Sequence, residues 1–273
     1  MVLKMTNYLE KAKHILQFVT IGTGIILMVS NFIGIFIFTT IKNGNSHLIE
    51  TSEKNISEKQ FWNDAYKKSN ESVKAYVERL TRLVSDRMRL CDAKYAKPTF
   101  YENWILWIYS QYMGKYEWID TKKAVRLGGG LCSQHAIVFN NILREQNIES
   151  RILGLNGHVL NEVLIDRKWK VYDPDFNVIF NESLKQLEDN SDRVYQAYRM
   201  AGGTHEESKY LEKIFASHED NWHFRTSKCF AMKTYMIETI SIYLIWVIPI
   251  LLIVLGFIVR RILIKNRQII FTI

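Results

Sequence analysis

"GHVLNEVLIDRKWKVYDP", Gly157 to Pro174, decides how the middle of this chain folds. Two runs rich in β-branched and aromatic residues, Val159 to Ile165 and Trp169 to Tyr172, flank the polar pair Asp166-Arg167. Runs of this kind around a short polar connection read as antiparallel strands. With Asp166-Arg167 as a two-residue turn, Ile165 faces Lys168 and Leu160 faces Asp173. His158 is two residues from Leu160, so it lies on the same face of the sheet. It is then a diagonal neighbour of Asp173, at ~7–8 Å between positions. The stretch predicts an imidazole and a carboxylate meeting at one end of a hairpin.

A third short strand is expected over Arg151 to Leu155. The flanking sequence is helical. Phe61, Ala65, Val73, Val77, Leu80, Val84 and Met88 recur mostly at three- and four-residue steps, which predicts a helix from about Ser57 to Leu90. Phe100 to Met113 reads as an aromatic-rich helix, and Leu131 to Glu145 as a third. Ser183 to Met200 and Glu206 to Phe215 return to helix. Helices, a small antiparallel sheet, then helices again make an α+β domain.

Just upstream of the hairpin lies "GGGLCSQHAIVFNNIL", Gly128 to Leu143. Cys132 falls in the first turn of the third helix. The unpaired N–H groups and the positive dipole end there favour an anion. The thiolate, which is the nucleophilic form of cysteine, is one. The glycines at 128 to 130 are expected to leave room beside it for a substrate backbone. Nucleophile, imidazole base and orienting carboxylate together are what covalent acyl transfer needs.

Two stretches do not belong to a water-soluble fold. Ile15 to Ile41 and Thr239 to Val259 carry no charge over 27 and 21 positions. Each is long enough to cross a bilayer core. The first exceeds the apolar core of a signal peptide and lacks a clear small-residue cleavage site. Lys4, Lys11 and Lys13 precede it, and Arg260, Arg261, Lys265 and Arg267 follow the second. Positive flanks mark cytoplasmic ends. The expected order is a cytoplasmic N-terminus (1–14), a transmembrane helix (15–41), a linker (42–56) and an extracytoplasmic domain (57–236). A second transmembrane helix (237–259) and a basic cytoplasmic tail (260–273) complete it. The net charge of +8 is mostly topological: outside 43–236 there are 8 basic and 2 acidic residues, against 28 and 26 inside. A nucleic-acid partner is therefore not expected, since no basic surface is left to build one.

Cys91, Cys132 and Cys229 all lie in the outer segment. A Cys91–Cys229 disulfide sparing Cys132 and three unbridged thiols are both open readings. His205, His218 and His223 have no metal-site spacing, and no phosphate-cradling loop follows the glycines, so neither metal nor cofactor is expected.

Gly130-Leu131-Cys132, then Gly157-His158-Val159, then Trp169-Lys170-Val171-Tyr172-Asp173-Pro174 resemble, in order and spacing, the motifs of the transglutaminase-like superfamily of papain-like cysteine enzymes. The resemblance covers roughly residues 100 to 180. It implies a papain-like core, with the cysteine-bearing helix on a small antiparallel sheet. It also implies a catalytic triad of Cys132, His158 and Asp173. Many bacterial members carry Cys-Arg-Asp at the nucleophile, whereas in this chain Ser133-Gln134-His135 follows. Trp118 and Gln134 are the side-chain candidates for oxyanion stabilisation, beside the Cys132 backbone N–H. The expected function is a membrane-anchored extracytoplasmic cysteine acyl-transfer enzyme, either protease/amidase or transglutaminase. Its substrate would be a protein, a peptide or a peptide-bearing glycan at the membrane surface. The alternative is a non-catalytic binding or assembly module of a cell-envelope complex.

Overall fold

The computed structural model describes residues 2–40, 56–91, 97–217 and 221–270, with side chains over 11–36, 56–91, 97–217 and 221–262. All but the last residue of the expected 42–56 linker lies outside these, as does His218. The described residues form eleven helices and seven short strands, an α+β fold. Contacts divide the chain into two units. One comprises Met1–Lys42, Pro98–Tyr112 and Ile237–Ile273; the other comprises Asn43–Lys97 and Met113–Met236. Residues 98–112, read from the sequence as part of the outer domain, thus group with the apolar helices.

The first unit is built on α1 (Val2–Thr40) and α11 (Met232–Ile270). Both are long and apolar enough to cross a membrane. Pro249 lies inside α11 and has no N–H, so the Ile245 carbonyl four residues earlier loses its helical donor. The Asn31 side-chain amide of α1 donates to that carbonyl at 2.5 Å. A side-chain donor from a neighbouring helix is how an apolar span tolerates a proline. Glycine keeps the two helices close: a Cβ on Gly24 would lie 2.8 Å from the Pro249 carbonyl oxygen. Helix α4 (Trp104–Met113) completes this unit. Asn103 precedes it, accepting at Oδ1 from the Ile105 and Leu106 N–H groups, 3.1 Å each, and donating from Nδ2 to Ser241 Oγ at 2.9 Å.

The second unit is organised by a five-stranded antiparallel sheet of order β6-β5-β4-β3-β7. Its strands are β3 (Ser150–Leu155), β4 (His158–Ile165), β5 (Lys168–Asp173), β6 (Val178–Ile179) and β7 (Trp222–Phe224). Asp166 and Arg167 both have positive φ, 51° and 62°, the geometry of a two-residue hairpin turn that matches strand twist. The register is the expected one, with Ile165 opposite Lys168 and Asn161 opposite Tyr172. Helix α6 (Cys132–Glu145) covers one face; Asn161 Nδ2 donates to the Ala136 carbonyl at 3.1 Å, and Phe139 meets Tyr172. Helices α7 (Leu184–Asp189), α8 (Ser191–Met200) and α9 (His205–Ala216) cover the other. There Leu153, Leu160 and Val171 pack with Leu187, Val194, Tyr198 and Phe215. The sheet therefore lies between two helical layers, and the start of β4 and the end of β5 share one end of it.

The single helix expected over 57–90 is two, α2 (Glu58–Asp64) and α3 (Val73–Arg87). Ser72 caps α3 by accepting from the Ala75 N–H at 3.2 Å. Arg79 closes the break, meeting Glu71 through Nε at 2.7 Å and the Asp64 carbonyl through Nη1. The helix expected over 183–200 is likewise interrupted, at Asn190, whose φ of −139° and ψ of 70° are not helical. Short helix α5 (Thr121–Leu127) has no counterpart among the expected elements. It is capped by Asp120, whose Oδ1 accepts from the Lys122 and Lys123 N–H groups at 2.9 and 3.2 Å. β1 (Arg89–Leu90) pairs in parallel with β2 (Gly129–Gly130), just before α6.

Candidate active site

Cys132 is the first residue of α6, with Leu131 at the N-cap and no capping side chain. The helix thus presents its N-terminal N–H groups and positive dipole end at the thiol. His158 is the first residue of β4 and Asp173 the last of β5. The hairpin register brings them together. His158 Nε2 lies 2.7 Å from Asp173 Oδ2, with the two side chains 6% and 0% exposed. An ionised carboxylate only accepts, so Nε2 carries the hydrogen and Nδ1 is left for another partner. The Cys132 sulfur is close enough to contribute to the electrostatics of the His158 ring. Cys132 and His158 also line the same cavity, of about 730 Å³, together with Leu131, Ser133, Gly157 and Val159. The three expected positions are therefore adjacent in the fold.

The electrostatics of the pair follow from its burial. Burial alone would depress His158, but the Asp173 carboxylate and then the Cys132 sulfur outweigh it and hold the imidazole well above its usual value. Burial would raise Asp173. The His158 charge and hydrogen bond, Tyr198 and the Asp175 backbone N–H together bring it below the ordinary carboxylate value. Three donors besides His158 hold this carboxylate in place. Tyr198 Oη donates to Oδ2 at 2.6 Å, and the N–H groups of Asp175 and Phe176 donate to Oδ1 at 2.9 and 3.4 Å. Phe176 also packs edge-on against the His158 ring, with centroids 5.9 Å apart.

The glycines play a different part from the expected one. Gly128 is the left-handed C-cap of α5, φ 69°. Gly129 and Gly130 form β2, and a Cβ on Gly130 would lie 2.5 Å from Gln134 Cβ. All three are buried, and none lines the cavity. The lack of a side chain at Gly128 and Gly130 serves the turn into α6 and the packing of Gln134.

Gln134 and Trp118 lie together. The Gln134 amide donates from Nε2 to the Trp118 carbonyl at 2.9 Å and accepts at Oε1 from the Trp118 N–H at 2.7 Å. With both ends of the amide occupied by backbone, Gln134 fixes the Trp118 segment to α6. Neither side chain lines the cavity. Two other polar side chains, Ser133 and Glu117, do line it. Ser133 Oγ donates to Glu117 Oε1, and burial pushes the Glu117 carboxyl above its usual value, opposed by Ser133 and Lys115. Trp222 and Phe230, stacked with centroids 5.4 Å apart, give the cavity an apolar wall. Trp222 lies against Gly154, where any Cβ would overlap its indole. His135 is fully buried; its Nδ1 lies 2.9 Å from the Leu131 carbonyl oxygen and its Nε2 3.6 Å from Asp175 Oδ1.

Sequence reasoning missed Tyr198, Glu117, Trp222 and Phe230. The apolar spacing of Val194 and Tyr198 places both on the inner face of a helix, but nothing in the sequence pairs Tyr198 with Asp173. Glu117 and Ser133 are sixteen residues apart and meet only through the turn into α6. His205 and His223 are engaged elsewhere, with Tyr195 at 2.9 Å and Glu162 at 3.0 Å. Among the described residues there is no cluster of three metal-ligating side chains, and none of Cys91, Cys132 and Cys229 is in a disulfide. Comparison with protein-family models, with characterised proteins and with solved structures finds no match to this chain.

Proposed function

We propose that this chain is a membrane-anchored cysteine acyl-transfer enzyme with a transglutaminase-like, papain-like core and a triad of Cys132, His158 and Asp173. The observation that carries the reading is the buried 2.7 Å pair of His158 and Asp173, with His158 and a cysteine at a helix N-terminus lining one cavity. In this reading Cys132 Sγ attacks the carbonyl carbon of an amide, and its proton passes to His158 Nδ1. Asp173 holds the ring through Nε2 and stabilises the imidazolium. His158 then gives the proton to the departing amine as the C–N bond breaks, leaving a thioester on Cys132. Water or a second amine, deprotonated by His158, attacks that thioester and restores the thiol. Water gives hydrolysis and an amine gives amide exchange. The Cys132 backbone N–H, at the start of α6, supplies one donor for the transient oxyanion.

The apolar helices fit an anchor of two passes. The lysines before the first span and the arginines after the second favour cytoplasmic termini, with residues 42–236 outside. Substrates would then be proteins, peptides or peptide-bearing glycans held at the same surface. The reading is tested with the full chain in lipid vesicles, a generic protein substrate and a fluorescent primary amine. Amine incorporation or peptide release that vanishes in Cys132→Ser supports it. Neither activity above that of the variant overturns it and leaves a binding or assembly module in its place.

A further inference from the structure

We propose that the segment 98–112, with helix α4 at its centre, is a third membrane-contacting element, lying in the bilayer interface beside the two spans. The inference rests on the membrane reading of α1 and α11. It starts from a face that has the wrong chemistry for water. Helix α4 carries no charge over its ten residues. Its inner side, Leu106 and Ser110, is buried; its outer side shows Trp107 and Ile108, 37% and 43% exposed, and Tyr112, 86% exposed. Tyr101, just ahead of the helix, is 52% exposed. A surface helix of a soluble domain would put charge there.

Two polar side chains of α4, Ser110 and Gln111, turn back on its own backbone. Ser110 Oγ donates to the Trp107 carbonyl at 2.8 Å, and the Gln111 amide donates to the same oxygen at 3.4 Å. What remains outward is aromatic and aliphatic, the composition of an interfacial belt in which an amphipathic ring sits at headgroup level. Ten helical residues span about 15 Å, too short to cross a bilayer core of roughly 30 Å. The element lies within the interface and does not traverse the bilayer.

Two contacts fix its level relative to the spans. Any Cβ on Gly34 would overlap the Tyr101 carbonyl, so the backbone of 98–112 approaches α1 near its C-terminal end. Asn103 Nδ2 donates to Ser241 of α11, near the other helix's N-terminal end. These are the ends at which the two apolar helices leave and enter the second unit's sequence, where a bilayer boundary falls if both are spans. Residues 98–112 belong to the same unit as two bilayer-length helices and meet both, at Gly34 and at Ser241, which is why lipid rather than a partner protein is assigned to the apolar face of α4.

The test uses the full chain in phosphatidylcholine–phosphatidylglycerol vesicles. Cys91, Cys132 and Cys229 are replaced by serine, and one environment-sensitive fluorophore is placed per variant through Ile108→Cys, Tyr112→Cys, Val254→Cys or Lys209→Cys. Val254 reports the middle of α11 and Lys209 an exposed site on α9. Quenching is read with a nitroxide high on the lipid acyl chain and with aqueous iodide. The expected result is that labels at 108 and 112 lose fluorescence to the lipid quencher, as 254 does, and resist iodide, while 209 does the reverse. Tyr112 protrudes, so its variant reports even if Ile108→Cys misfolds. Labels at 108 and 112 that behave like 209 while 254 stays lipid-quenched overturn this inference alone. Labels shielded from both quenchers also overturn it, because protein then covers the face. A label at 254 untouched by lipid quencher removes the membrane reading, and this inference with it.

Discussion

Replacing Tyr198 by phenylalanine isolates one hydrogen bond at the buried carboxylate. The hydroxyl donates at 2.6 Å to Asp173 Oδ2, the oxygen that also faces His158 Nε2. The ring itself packs with Phe176, Phe180 and Phe215 at centroid distances of 5.2, 6.1 and 6.3 Å, and phenylalanine keeps those contacts and leaves no cavity. The loss is then that of a hydrogen bond to a charged acceptor, about 1.5–3 kcal/mol. For a domain of this size that lowers the thermal midpoint by about 3–12 °C. The direction of the electrostatic effect is also fixed. Tyr198 is one of the causes holding Asp173 low, so its removal lets the carboxylate rise. Oδ2 then has only His158 as side-chain donor. Thermal unfolding of the full chain in detergent, beside Tyr198→Ala, measures the loss. Tyr198→Ala is expected to fall further, because it also empties a core position. A Tyr198→Phe midpoint equal to that of wild type would refute this role of the Tyr198 hydroxyl at the carboxylate.

Stability should follow the His158–Asp173 pair with pH, counted as one interaction. His158 is raised in the fold, so its contribution is complete below its unfolded value, about 6.5, and is lost as pH climbs through the raised one. Asp173 is lowered, so its contribution is complete above about 3.9 and is lost as pH falls through the lowered one. Thermal midpoints are expected to be highest between these two unfolded values, and Asp173→Asn should flatten both limbs; parallel curves for the two proteins would exclude the pair as their cause. Gly130→Ala should cost about 1–3 kcal/mol, because its Cβ meets Gln134 and the start of α6 must shift, and denaturation against wild type checks this. Asn31→Leu leaves the Ile245 carbonyl without a donor and should cost about 0.5–2 kcal/mol of helix-pair stability. Adding Pro249→Ala should recover most of that loss, since alanine restores the helical N–H; failure to recover it in a double-mutant cycle counts against the proposed compensation.

The hairpin is readable in the sequence because its register depends on a local feature. A two-residue turn at Asp166-Arg167 fixes every pairing between β4 and β5, and with them the meeting of His158 and Asp173. The start of α6 and the two apolar helices are readable for a similar reason, as each is marked by an abrupt change in composition. What sequence reading misses depends on contacts distant along the chain. β6 and β7 have two and three residues and exist through pairing with β5 and β3. The break between α2 and α3 is held by Arg79 reaching back to Glu71 and Asp64, and an apolar period cannot register it. The glycines before Cys132 are legible as a turn but not as a packing requirement, because Gln134 meets Gly130 only once α6 is formed. The placement of 98–112 with the apolar helices rests on Asn103 finding Ser241, 138 residues away.

The central claim is that His158 activates the thiol of Cys132. Its most direct test is the rate of Cys132 alkylation by iodoacetamide at neutral pH, in the full chain with Cys91 and Cys229 replaced by serine, with and without His158→Ala. The thiolate is the form that is alkylated, so a thiol that hands its proton to an imidazole reacts faster than one that does not. The account predicts rapid labelling that collapses in the His158 variant. Equal rates in the two proteins would contradict it.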